Sequence, residues 1–138
     1  MACPVLNIWA VIVAAVAFWA LGALWYSPVL FGKMWQKALG FTDEYLKKAN
    51  MAVIFGLSFL LMAVMVLGMG YTLMVHKPEQ VTWSTGLWLG IFVAVVFSMT
   101  TMGINYLYQR RSITLWLIDG FYMIFGLGIA GIILGAWH

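Results

Sequence analysis

Asp119 is the single charged side chain within four apolar stretches of this sequence, each longer than 20 residues. A carboxylate at the centre of a membrane-spanning helix costs about 2.5–3.5 kcal/mol on an insertion scale, and somewhat less off-centre, so Asp119 needs a partner, a proton or water. The preceding stretch offers one. Ser98, Thr101 and Asn105 follow one another at i, i+3 and i+7, a spacing that puts them on one stripe of a helix. A short turn would bring that stripe to the depth of Asp119, and the resulting polar cluster has the chemistry of an ion, proton or ligand site. The same hydroxyls and amide also serve as glue between helices, where such bonds average about 0.6 kcal/mol. Arg110, Arg111 and Lys33 are the cations that would pair with Asp119 in a salt bridge instead.

Other residue types point to no cofactor, metal or catalytic centre. Cys3 is the only cysteine, so an intramolecular disulfide and a thiol pair are excluded; it precedes the first apolar stretch, which reads as retained rather than cleaved. His76 and His138 are far apart and lack Cys or acidic neighbours in a zinc pattern. Among the ten methionines, Met62, Met65, Met69, Met99, Met102 and Met123 offer thioethers that bind copper(I), but flexible packing is their commoner use. The apolar stretches contain no histidine for haem. No nucleophile and base pair is visible, which disfavours an enzyme.

The elements that position Asp119 are four transmembrane helices over about 5–26, 49–75, 81–109 and 112–137. A hydrocarbon core about 30 Å thick requires about 20 apolar residues in a helix. With 65% hydrophobic and 8% charged residues in 138, the chain lies outside the composition of soluble domains, where about a quarter of residues are charged. The expected fold is all-α: a single membrane domain over residues 1–138, an integral membrane four-helix bundle of two antiparallel hairpins. The net charge of +3 is then an orientation signal and not a footprint for nucleic acid. Lys33, Lys37, Lys47, Lys48, Arg110 and Arg111 fall on one side and Lys77 on the other, which places both termini outside the cytoplasm, in a bacterial inner (plasma) membrane.

The first connector has a pattern of its own. Phe31, Met34, Trp35, Ala38 and Leu39 are spaced as one apolar helix face, with Lys33, Gln36 and Lys37 between them. This predicts a short interfacial amphipathic helix between helices 1 and 2. Its lysines read as orientation anchors, with an anionic-lipid contact as the alternative. Pro28 ends or kinks helix 1, and Thr42 caps the helix that continues as the second span. Trp25, Tyr26, Trp35, Trp83, Trp88, Tyr106, Tyr108, Trp116 and Trp137 mostly fall near span ends, as in an aromatic belt. Gly86, Gly90, Ala94 and Ser98 on the third span, and Gly120, Gly128, Gly131 and Gly135 on the fourth, allow close helix packing, inside one subunit or between copies.

The run Leu24-Trp25-Tyr26-Ser27-Pro28, followed by Phe31-Gly32-Lys33 and Trp35, together with Asn105-Tyr106-Leu107 and the closing Leu134-Gly135-Ala136-Trp137, resembles the membrane family called domain of unknown function 1761. The resemblance covers essentially the whole chain, and its Trp-Tyr-Ser-Pro motif is the specific part. It implies a compact four-helix membrane protein and carries no established activity or catalytic residue. Trp25, Tyr26, Ser27, Pro28 and Lys33 are accordingly a candidate interfacial motif. Two functional readings stand: a small homo-oligomeric transporter or channel-like protein using Asp119, and an accessory or assembly subunit of a larger membrane complex. The lipid bilayer is the expected partner in both.

Overall fold

Long runs of apolar side chains leave the backbone no polar partner except itself, and the helix satisfies that need within each segment. The computed structural model describes residues 6–138, so Cys3 lies outside the described residues. The described chain is helical, with α1 (Ile8–Trp25), α2 (Gly32–Leu39), α3 (Asp43–Lys47), α4 (Met51–Leu73), α5 (Trp83–Phe92), α6 (Thr100–Tyr108) and α7 (Ile113–Ala136). A π-helical segment, Val93–Met99, joins α5 to α6 without a break. Four helices are long and apolar enough to cross a membrane: α1, α4, the continuous Trp83–Tyr108 rod, and α7.

The sequence-based bounds overshoot these helices by one to three residues at each end, and polar side chains set the N-terminal limits. Asn7, Asn50, Thr82 and Ser112 each accept a hydrogen bond from a first-turn backbone N–H, which satisfies donors that a helix start leaves free. Thr42 does cap a helix, accepting from the Tyr45 N–H at 3.1 Å. That helix is the separate α3, however, and the second span restarts at Met51 under its own cap, Asn50. Gly40 closes α2 at φ 71°, the left-handed conformation glycine adopts freely. Arg110 takes φ 56° in the tight turn between α6 and α7.

The last helix is the centre of the packing. α7 runs antiparallel to α5, with the Gly86 end of one at the Gly131 and Gly135 end of the other. It also runs antiparallel to α1, where Phe18 meets Tyr122 with ring centroids 5.3 Å apart. α4 leans mainly on α1, through Trp19 against Phe55 and Phe59, and leaves much of its surface exposed. A Cβ at Gly86 would fall on the Gly131 carbonyl, one at Gly90 on the Leu127 carbonyl, and one at Gly135 on the Thr82 carbonyl. The small residues therefore let two backbones touch inside the subunit.

Candidate functional site

Asp119 is buried, at 8% exposure, and both carboxylate oxygens are taken. The Tyr26 hydroxyl donates to Oδ1 at 2.6 Å and the Tyr106 hydroxyl donates to Oδ2 at 2.5 Å. One donor comes from the end of α1 and the other from α6, so a single carboxylate ties α7 to two other helices. Hydrogen bonds to an ionised carboxylate are about twice as strong as those between neutral groups. The cations considered as partners, Lys33, Arg110 and Arg111, are exposed, and it is the two hydroxyls that occupy the carboxylate oxygens.

Tyr26 is delivered by the Trp-Tyr-Ser-Pro segment. Trp25 Nε1 donates to the Ile118 carbonyl at 3.1 Å, so two consecutive residues of the motif bind two consecutive residues of α7. The chain then turns on itself. Ser27 Oγ donates to the Leu24 carbonyl at 2.6 Å, Phe31 N–H returns to the Trp25 carbonyl and Gly32 N–H to the Ser27 carbonyl, each at 3.0 Å. Pro28 has no N–H to leave unsatisfied in this turn. A Cβ at Gly32 would collide with the carbonyls of Tyr26 and Ser27, so glycine is required for so close a return. Phe31 closes on Trp25 and Trp35 on Tyr26, with ring centroids 4.7 and 5.8 Å apart. Lys33, the last residue of the candidate motif, takes no part in holding Asp119.

Tyr106 is delivered by the π-helical segment, and this corrects the expected stripe. Thr101 and Asn105 are exposed and Ser98 is half-buried; among the described residues none of their side chains is hydrogen-bonded to Asp119. Along this rod Gly86, Gly90, Ala94, Met99, Gly103 and Tyr106 form a line that is buried or meets α7. The steps along the chain are four, four, five, four and three. The five-residue step spans the π segment, whose extra residue moves everything beyond it by one position around the helix. Met99 takes the place expected of Ser98, and Tyr106 that of Asn105. Trp116 reinforces the altered register, its Nε1 donating to the Met99 carbonyl at 2.9 Å over the bare surface of Gly103.

The aromatic belt is therefore divided. Trp83, Trp88, Tyr108 and Trp137 are exposed, as a belt requires, whereas Trp25, Tyr26, Tyr106 and Trp116 turn inward and spend their polar atoms on α7 or the π segment. Tyr122 adds a third inward hydroxyl, donating to the Phe18 carbonyl of α1 at 2.9 Å across Gly22. The family model described as Protein of unknown function (DUF1761) matches residues 9–135, which include the motif, the π segment and Asp119. The chain belongs to this family. No curated protein and no solved structure matches it at a significant level.

In this DUF1761 chain the Asp119 cluster stands between two cavities. Tyr26 lines a groove of about 540 Å³ between α1, α3 and α4, together with Trp35, Ser58 and Tyr122. Tyr106 lines a smaller cavity of about 250 Å³ that reaches Arg111 and Ser112. At the other end of the helices, Asn7, His76 and His138 line a third cavity of about 230 Å³. Between that end and Asp119 lies a layer of fully buried apolar side chains, Phe18, Val66 and Leu127. Among the described residues no cluster of His, Cys, Asp or Glu could hold a metal ion.

Proposed function

We propose that this chain is a small multi-pass membrane transporter in which Asp119 is the proton-responsive element. The observation that carries the reading is the placement of one carboxylate between two cavities, each reached through a tyrosine bonded to it. As a carboxylate, Asp119 accepts from both hydroxyls. Once protonated it loses its charge and gains a donor on one oxygen, so the tyrosine bond at that oxygen weakens or reverses. Proton uptake would thus release α7 from one of its two neighbours, and the apolar layer of Phe18, Val66 and Leu127 would be the barrier that such a movement opens. An intramembrane ionisable residue is by default a candidate for this role.

The rest of the reading follows from the membrane setting. The four long helices form a bundle of two antiparallel hairpins, α1 with α4 and the Trp83–Tyr108 rod with α7, while α2 lies in the headgroup layer. The lysine-rich connector faces the cytoplasm of a bacterial inner membrane, with the termini outside. Single-cysteine labelling in intact cells tests this orientation: a cysteine at position 138 is expected to react from outside and one at position 37 only after permeabilisation. The reverse pattern would invert the topology. Self-association would use the exposed face of α4, since the glycine faces are already occupied.

Vesicles containing the purified protein and an entrapped pH dye, given a potassium diffusion potential, test the activity. Proton entry is expected to exceed that of protein-free vesicles and to fall to that level in a folded Asp119→Asn variant. Wild-type entry no faster than in protein-free vesicles would sink the transport reading. The long exposed face of α4 favours a second reading, an accessory subunit docked through that helix, and a stoichiometric membrane partner copurifying with the chain would support it.

A further inference from the structure

The groove of about 540 Å³ does more than adjoin Tyr26. It begins beside Leu46 and Ala49, at the end of α3, and follows α4 from Met51 to Met62, with Tyr26 and Tyr122 on its opposite wall. Eleven residues of helix rise about 16 Å at 1.5 Å each. Half of a hydrocarbon core about 30 Å thick is about 15 Å. The groove is therefore one leaflet deep, its walls are mainly hydrocarbon, and it begins at the end of the chain segment that carries the lysines.

We propose that this groove holds one acyl chain of an anionic membrane lipid, with the headgroup at Lys47 and Lys48. These two lysines lie in sequence between the mouth residues Leu46 and Ala49, and both are exposed. Lysines near the surface are attracted to an anionic leaflet, and a zwitterionic headgroup would forgo that attraction. The acidic residues of α3, Asp43 and Glu44, sit at its opposite end, where Asp43 accepts from Gln36 Nε2 at 2.8 Å. Trp19, edge-on to Phe55 and Phe59, forms part of the deep wall, and Ser58 spends its hydroxyl on the Ile54 carbonyl. The lining thus asks for an apolar chain, and the mouth for a negative charge. The proposal rests on the chain being membrane-embedded and is independent of proton transfer.

The test uses the full chain in vesicles doped with phosphatidylglycerol or phosphatidylcholine carrying a spin label low on one acyl chain. The electron paramagnetic resonance spectrum reads the motionally restricted fraction. A larger restricted fraction is expected for phosphatidylglycerol. The double variant Lys47→Gln, Lys48→Gln should equalise the two lipids, and Ser58→Phe, which fills the groove, should reduce the phosphatidylglycerol fraction. Leu61→Phe, on the exposed face of α4, should leave it unchanged. Equal fractions for the two lipids in the wild type would overturn the proposal, as would a preference that survives in a folded Ser58→Phe variant. The lysine pair tests the site separately if Ser58→Phe does not fold.

Discussion

Gly131→Leu is expected to abolish the contact between α5 and α7, and even Gly131→Ala to lower the melting temperature in detergent sharply. At this position the neighbour is backbone: a Cβ would occupy the space of the Gly86 carbonyl, and no side-chain rotation removes that overlap. Overpacking a well-packed site costs about 1–3 kcal/mol, occasionally more, and here the only relief is separation of two helices along their length. The same substitution elsewhere has the opposite sign. Gly56 and Gly68 on α4 have open space where a Cβ would go, and alanine is favoured over glycine by about 1 kcal/mol in a helix interior. Gly56→Ala and Gly68→Ala should therefore leave the melting temperature unchanged or raise it. Thermal unfolding followed by circular dichroism decides the matter; a Gly131→Ala protein as stable as the Gly56→Ala protein would show that the α5–α7 contact contributes nothing.

The second large effect is at the carboxylate. Tyr26→Phe and Tyr106→Phe each remove one donor to Asp119, and a hydrogen bond to a charged group contributes about 1.5–3 kcal/mol, more than the membrane average of about 0.6 kcal/mol. The double variant should lose more than the sum of the two. With one tyrosine left the carboxylate still has a donor; with neither it is a buried charge that must acquire a proton, admit water or pull the helix aside. A coupling energy of at least about 0.5 kcal/mol is expected from the four-protein cycle. Additive losses would mean that the two hydroxyls act independently, and the linkage of α1 and α6 through α7 would then have no energetic basis.

How far this site was readable in the sequence depends on the range of the signal. The four apolar helices are a local property, visible in any window of about 20 residues, and Asp119 stands out as a charge among hydrocarbon. The glycine pairs were legible as small faces, though their partners were not. As partners of Asp119, Tyr26 and Tyr106 were not legible: both read as aromatics near span ends, a position shared by the exposed Trp83 and Tyr108. The clue for Tyr26 was the specific Trp-Tyr-Ser-Pro run, whose return at Gly32 demands a fixed partner surface. Tyr106 had no such clue. A uniform helical wheel carried the eye from Gly90 through Ala94 to Ser98 and Asn105, and no composition change marks the extra residue between Ala94 and Met99. Similarly, the Thr42 cap was readable, whereas the restart at Asn50 competed with an uninterrupted apolar pattern.

That extra residue makes the Trp83–Tyr108 rod two segments with separate angular settings. The upper part is seated by Gly86 and Gly90 on α7; the lower part is set round by the angle of one helical residue, about 100°, from where a uniform helix would place it. Asn105 and Tyr106 are adjacent, so this offset decides that a phenol and not an amide meets Asp119. One extra residue thereby chooses the chemistry presented to the carboxylate, while the anchorage above it is the same as in a uniform helix.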